Sequence, residues 1–138
     1  MSKVTVFCVL VIIASYMLTI PVQGQQGEDG HSLWQYNLVR VENDLDTTLY
    51  VHCKSKDDDL GEHYLKPGQY TQWQFRDNFW GTTLFWCNFS WNNVQKRFDV
   101  YDFHEDECDL QCYRKIKLDG AYFYGGADKP IWEKRQSW

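Results

Sequence analysis

Leu84-Phe85-Trp86-Cys87-Asn88-Phe89-Ser90-Trp91 is the stretch that decides the fold, because apolar residues take every second position from its second residue onward. This alternation is typical of a β-strand that buries one face. Other runs with this alternation occupy residues 39–42, 49–54, 72–76, 97–100 and 110–118. No window of comparable length in the sequence shows helical spacing.

Turn signals separate these runs. Lys66-Pro67-Gly68-Gln69 suits a type II turn, since proline presets φ and glycine accepts a positive φ. Asp119-Gly120 is a strong two-residue hairpin signal. Short strands at regular intervals with one apolar face indicate a two-sheet sandwich or a small barrel. We predict an all-β fold: a small antiparallel β-sandwich of about eight short strands, of which residues 62–66 are one.

The beginning of the chain has the pattern of a secretory signal. Lys3 supplies a positive charge, the segment from Val4 to Ile20 is almost wholly apolar, and small residues precede a cleavage site before Gln25. A membrane anchor is the alternative, although no basic cluster follows to stop transfer. We predict a signal peptide at 1–24, a polar flexible tail at 25–35, and a single domain at 36–138 that is secreted to the extracellular space.

The charge balance excludes some partners. The chain carries a net charge of −5, and removal of Lys3 with the signal makes the mature protein one unit more negative. An acidic chain is a poor ligand for nucleic acid or for an anionic membrane surface. We therefore expect no nucleic acid partner and no membrane insertion of the mature chain. We also expect the mature chain to be a monomer.

Four cysteines remain after the signal is removed, namely Cys53, Cys87, Cys108 and Cys112. An even number in an exported protein predicts two disulfides, for which three pairings exist. In an extended strand, Cys108 and Cys112 would lie roughly 13 Å apart, too far to bridge. We therefore predict that one of them pairs with Cys53 and the other with Cys87. A zinc site is disfavoured because no Cys-x-x-Cys pair is present.

Catalytic and metal sites find little support in the sequence. His52 and His104 could act as general acids or bases beside a carboxylate, but nothing in the spacing selects such a pair. The run Asp57-Asp58-Asp59 is better explained by a solvated turn than by a calcium site. No nucleophile elbow or phosphate-binding glycine loop is present. We predict that the protein is not an enzyme and has no catalytic residue, cofactor or metal.

Several motifs together resemble those of the plant self-incompatibility S-protein homologue family. These are Val-His-Cys-Lys-Ser-Lys-Asp-Asp-Asp-Leu-Gly at 51–61, Gly-Thr-Thr-Leu-Phe-Trp-Cys-Asn-Phe at 81–89, Cys-Asp-Leu-Gln-Cys at 108–112, and Asp119-Gly120. The resemblance implies a secreted β-sandwich that acts as an extracellular ligand of a cell-surface receptor. Arg114 stands where the family usually has tryptophan. Either that end of its strand is exposed or Arg114 reaches a carboxylate, because an unpaired buried charge is costly.

Candidate binding residues follow from exposure and charge. An acidic loop carries Asp102, Glu105, Asp106 and Glu107, and Trp86 lies on the strand face opposite Cys87. We predict that these five residues contact a plasma-membrane receptor protein, although an ordinary solvated loop is the alternative.

Two further expectations concern the aromatic residues and a possible glycan. Exposed aromatic side chains, Trp86 and Trp80 above all, could instead bind a carbohydrate or the cell wall, and a small secreted hydrolase is a third hypothesis. Asn88-Phe89-Ser90 is an acceptor for N-glycosylation on the face opposite the core.

Overall fold

The computed structural model describes residues 35–106 and 108–138, and the regular structure of these residues is entirely β. The strands are β1 (Asn37–Asn43), β2 (Leu49–Lys54), β3 (Asp59–Leu65), β4 (Tyr70–Phe75), β5 (Leu84–Trp91), β6 (Val94–Asp102), β7 (Gln111–Lys117), β8 (Gly120–Tyr124) and β9 (Trp132–Ser137). In this part of the chain, no helix is long and apolar enough to cross a membrane. The predicted signal peptide, and all of the predicted tail except its last residue, lie outside the described residues.

The strands form two sheets that share one core. One sheet has the order β4-β1-β7-β8-β9, and the other has the order β3-β2-β5-β6. Neighbouring strands pair antiparallel except β1 and β7, which are parallel. The predicted all-β sandwich is confirmed. The strand that alternation did not predict is β9, which pairs with the hairpin strand β8 at one edge of its sheet.

The core is built from the alternating residues that the sequence pattern predicted. Val39, Val51 and Phe89 are each at most 1% exposed, while their chain neighbours on the same strands are only partly buried. Aromatic rings fill much of the space between the sheets, as in the contacts of Phe75 with Phe85 and Tyr101. Each buried ring removes a large apolar area from water, which is how a thin sandwich gains its stability.

Two disulfides connect the four predicted cysteines, but the predicted pairing is wrong. Cys53 and Cys87 lie directly opposite each other on β2 and β5, with their Cα atoms 4.0 Å apart. Cys108 and Cys112 pair with each other, and their Cα atoms are 5.0 Å apart.

The pairing of Cys108 with Cys112 follows from a turn that replaces the expected extended strand. Asp109 and Leu110 have φ angles of 51° and 68°, in the left-handed region, so the chain reverses between the two cysteines. The backbone N–H of Gln111 donates to the carbonyl of Cys108 over 2.9 Å, and β7 begins only at Gln111. The estimate of the distance between the cysteines assumed an extended backbone, which is absent here.

Candidate functional site: two loops and two sheet faces

The acidic loop is organised around a buried ion pair. Arg114 lies on the inner face of β7 and is 1% exposed, while Asp106 is 4% exposed. The Arg114 Nη2 atom lies 3.1 Å from Asp106 Oδ1, and its Nε donates to the carbonyl of Val100 over 2.8 Å. Arg135 reaches the same carboxylate oxygen over 2.8 Å. Burial lowers the pKa of Arg114 to about 10, so the guanidinium stays charged at neutral pH.

This geometry corrects one predicted binding residue and answers the question about Arg114. Asp106 does not face solvent, so it is not part of a recognition surface. It neutralises Arg114. Of the two alternatives for Arg114, an exposed strand end or a carboxylate partner, the structure shows the second. The other oxygen of Asp106 accepts the backbone N–H of Asp102 over 2.7 Å, which closes the loop. Glu105 is exposed and Asp102 is half-buried, whereas Glu107 lies outside the described residues.

A second loop, between β4 and β5, presents two large aromatic side chains. Phe79 and Trp80 are 78% and 79% exposed, and their rings meet edge to face with centroids 5.5 Å apart. The Asn78 side chain holds this loop, because its Nδ2 donates to Thr82 Oγ1 and its Oδ1 accepts the Thr82 N–H, each over 2.9 Å. The Asn78 N–H donates to Thr83 Oγ1 over 2.8 Å. The two rings therefore project from an ordered loop.

A buried polar cluster anchors the start of the same loop. The Asp77 carboxylate accepts a hydrogen bond from the Tyr101 hydroxyl over 2.7 Å and another from Asn37 Nδ2 over 2.8 Å. Burial and this carboxylate raise the pKa of Tyr101 well above its ordinary value, so its hydroxyl remains a donor. The loop is thus fixed to β6 and β1 at its base.

The two loops pack against each other at one end of the sandwich. The Phe103 N–H donates to the carbonyl of Thr83 over 3.0 Å. Gly81 has a φ of 66° and lies so close to Phe103 that an added Cβ would be 2.8 Å from the ring. We call residues 78–83 and 102–105 the tip surface. It combines two exposed rings with the carboxylate of Glu105, although the sequence analysis named only Trp80 as a secondary candidate in the aromatic loop.

The outer face of the four-stranded sheet carries the other predicted residues. Trp86 is half-buried, and the Arg97 guanidinium lies 5.6 Å from its ring centroid. Asn88 is half-buried on the same face, between His52 and Arg97 in the strand register. Asn88 also lines a shallow depression formed with residues 50, 89–90 and 95–97. Trp86 and Asn88 therefore lie far less exposed than the rings of the tip surface.

A histidine–carboxylate pair also lies on this face. His52 Nε2 is 2.6 Å from Asp59 Oδ1, at a register shift between β2 and β3 that the sequence could not reveal. The pKa of Asp59 is lowered, first by the backbone N–H of Gly61 and then by His52. Within the described residues, no cluster of three or more His, Cys, Asp or Glu side chains is placed to hold a metal ion.

The outer face of the five-stranded sheet carries a feature that the sequence analysis missed. One side chain from each strand forms a continuous line, which we call the aromatic row: Tyr70, Arg40, Tyr113, Tyr124 and Trp132. The Arg40 guanidinium lies 4.2 Å from the Tyr70 ring centroid and 4.7 Å from that of Tyr113. Tyr113 stacks on Tyr124 at 6.0 Å, and Tyr124 contacts Trp132 at 5.3 Å.

These features define a small disulfide-bonded all-β protein with one ordered loop of exposed aromatic side chains. Comparison with known proteins places it more closely. Residues 38–138 match the family described as plant self-incompatibility protein S1. The chain is 39% identical over 128 residues to S-protein homolog 29 of Arabidopsis thaliana, covering 90% of this chain and 89% of the relative.

Other relatives from the same plant support this result. S-protein homolog 24 is 35% identical over 126 residues, covering 87% of this chain and 81% of the relative. S-protein homolog 2 is 43% identical over 90 residues, covering 59% and 56% of the two chains. The chain belongs to the plant self-incompatibility S1 family.

Proposed function

We propose that the protein is a secreted recognition ligand that binds a plasma-membrane receptor through the tip surface. The observation that carries this proposal is the exposure of Phe79 and Trp80 on an ordered loop that packs against the loop of Glu105. Membership of the self-incompatibility S1 family supports a role in recognition.

The tip surface has the properties of a protein-binding hot spot. Binding energy concentrates in a few large side chains, among which tryptophan is enriched. Because the Asn78 side chain already orders the loop, Phe79 and Trp80 would lose little conformational entropy on binding. The neighbouring carboxylates of Glu105 and Asp102 favour a receptor site with an apolar pocket and a basic rim.

A binding role also suits the histidines better than catalysis does. His104 is exposed, and its backbone N–H donates to Asp102 Oδ1 over 2.9 Å. His52 uses Nε2 for Asp59, which is itself a solvent-exposed residue. A general base requires a substrate group within hydrogen-bond reach, and the tip surface is built from apolar rings instead. We therefore infer that the protein works as a ligand and not as an enzyme.

The test is capture of a receptor by the tethered mature protein, residues 25–138, from solubilised plasma membranes. Trp80→Ala and Phe79→Ala should each weaken capture by about 30-fold or more, as expected for the loss of a hot-spot side chain. Glu105→Gln should slow association and reduce its dependence on salt. Trp86→Ala is the matched control, because it removes a tryptophan from the outer face of the four-stranded sheet.

The outcomes distinguish the tip surface from the outer face of the four-stranded sheet as the receptor contact. Loss of capture with Trp80→Ala and retention with Trp86→Ala would support the tip surface. The reverse result would move the contact to the four-stranded sheet. Capture by every variant with unchanged affinity would refute the role of the tip surface.

Secretion and glycosylation belong to the same proposal. We infer that residues 1–24 direct export and that Asn88 carries an N-glycan, since its side chain lies on the outer face of β5 beside a shallow depression. Protein secreted from plant cells should begin at Gln25 and should lose mass on endoglycosidase treatment. Asn88→Gln should abolish that mass difference. An unchanged mass of the native protein would remove the glycan from the proposal.

A further inference from the structure

The aromatic row lies among cations, two of which have no carboxylate partner. Lys117 pairs with Asp44 at 3.6 Å and Lys134 with Asp119 at 2.7 Å. Arg40 and Lys115 form no salt bridge with any residue in the described ranges. Their charges rest against rings, Arg40 between two tyrosines and Lys115 at 4.6 Å from the Trp132 ring centroid. Arg40 Nε also donates to Gln72 Oε1 over 3.0 Å, and Glu42 lies opposite Lys115 in the strand register. Neither cation has a carboxylate within salt-bridge distance among the described residues, although the whole chain is acidic.

The row also offers neutral hydrogen-bond donors. The hydroxyls of Tyr70, Tyr113 and Tyr124 make no hydrogen bond to any described residue. Tyr70 is 48% exposed and Trp132 is 38% exposed, at the two edge strands of the sheet. Five strands at spacings of about 4.8 Å make the row about 19 Å long. A continuous line of donors and rings with this length suits an extended polymer.

We propose that the outer face of the five-stranded sheet binds an acidic polysaccharide, one whose sugars carry carboxylates. Arg40 and Lys115 would pair with the carboxylates, since charge-assisted hydrogen bonds to such groups are strong. The tyrosine hydroxyls would donate to sugar oxygens, and the apolar ring edges would contact the C–H groups of the sugars. The site is separate from the tip surface, so the proposal goes beyond receptor binding and stands without it.

Charge and shape select this ligand over the other polyanions. The net charge of −5 opposes nucleic acid, whose phosphates are more densely charged than the carboxylates of a polysaccharide. A folded protein partner would bury large apolar anchors in a pocket, and the two most exposed of these side chains among the described residues, Phe79 and Trp80, are at the tip surface. An acidic polysaccharide carries carboxylates at intervals along a chain rich in hydroxyl groups. These groups match the two cations and the tyrosine hydroxyls of the aromatic row.

Binding should be measured by affinity electrophoresis and calorimetry with the oxidised mature protein in 150 mM salt. The probes are polygalacturonate, its fully methyl-esterified form, and polyglutamate as an acidic polypeptide. We expect binding to polygalacturonate, at least tenfold weaker binding to the neutral ester, and similarly weak binding to polyglutamate.

Variants locate the site. Arg40→Gln and Lys115→Gln should each weaken binding to polygalacturonate by about tenfold. Tyr113→Phe and Tyr124→Phe, which keep the rings and remove only the hydroxyls, should each weaken it by about threefold to fivefold. Arg97→Gln is the matched control, because Arg97 also lies over a tryptophan ring but on the other sheet. It should change binding by less than twofold.

Three results would overturn the proposal. The first is no binding of the native protein to polygalacturonate, and the second is equal binding to polyglutamate, which would assign the face to acidic proteins. The third is equal loss with Arg97→Gln and Lys115→Gln, which would indicate non-specific attraction. Melting temperatures of all variants identify any that fail to fold. Lys115→Gln keeps the test valid even then, since the Lys115 ammonium rests only on the exposed Trp132 ring among the described residues.

Discussion

Replacing Asp106 by alanine tests whether a buried charge pair holds the acidic loop to the core. The substitution leaves the buried Arg114 guanidinium without a carboxylate, with the carbonyl oxygens of Val100 and Tyr113 as acceptors and the Phe123 ring as a further contact. Removing one member of a buried ion pair costs about 3–5 kcal/mol, because the other charge remains desolvated. That loss is a large part of the total stability of a domain this size.

The reciprocal substitution should be milder, and this asymmetry is the sharper part of the prediction. In Arg114→Met, Asp106 keeps Arg135 at 2.8 Å and the backbone N–H of Asp102 at 2.7 Å. Methionine also fills the buried site with apolar volume. We therefore expect a loss of about 1–2 kcal/mol, mainly from the hydrogen bonds of the guanidinium.

Urea unfolding followed by tryptophan fluorescence measures both values, and calorimetry gives the melting temperatures. Asp106→Ala should lower the melting temperature by about 12 °C or more. Glu105→Gln is the control, since this exposed neighbour should change stability by less than about 0.5 kcal/mol. The reasoning fails if Asp106→Ala costs under about 1 kcal/mol, or if Arg114→Met costs more than Asp106→Ala.

Three further predictions test other contacts. Gly81→Ala should lower the free energy of unfolding in urea by about 1–3 kcal/mol, because both its φ of 66° and its closeness to the Phe103 ring disfavour a Cβ. An unchanged unfolding midpoint would contradict the packing of the two loops. In an NMR titration, the pKa of Asp119 should lie below its ordinary value owing first to Lys134, and should rise towards it in Lys134→Gln. A tryptic digest without reduction should release peptide 98–114 with an internal disulfide, whereas finding it linked to another peptide would refute the structure's pairing.

The sequence pattern was sufficient for the core strands but not for the edges and the strand order. Alternation marks any strand with one buried face, and β1 and β5 have such a face. The last strand, Trp132–Ser137, is exposed along most of its length and has no such signal. Its existence depends on pairing with β8. The parallel pairing of β1 with β7 is equally invisible, because burial alternates in the same way in both orientations.

The candidate sites depended on distances that the linear sequence does not contain. Asp106 and Glu105 look alike as neighbours in an acidic run, yet one is buried on Arg114 and the other faces solvent. The position of Arg114 among apolar residues allowed either an exposed strand end or a carboxylate partner, and the sequence could not choose between them. The aromatic row has one member on each of five strands, so it becomes visible only when the strand order is known.

Asp106 also separates the residue that fixes the loop backbone from the residues of the tip surface that face solvent. Its carboxylate neutralises the buried cation Arg114 and accepts the N–H of Asp102, so these contacts tie the loop backbone to the core. Glu105 and Trp80 make no comparable contact with the core and are exposed. Under the proposed function, substitutions at these two positions would change binding by the tip surface at little cost to folding. Substitutions at Asp106 would destabilise the domain, because the charge of Arg114 would remain buried without its carboxylate partner.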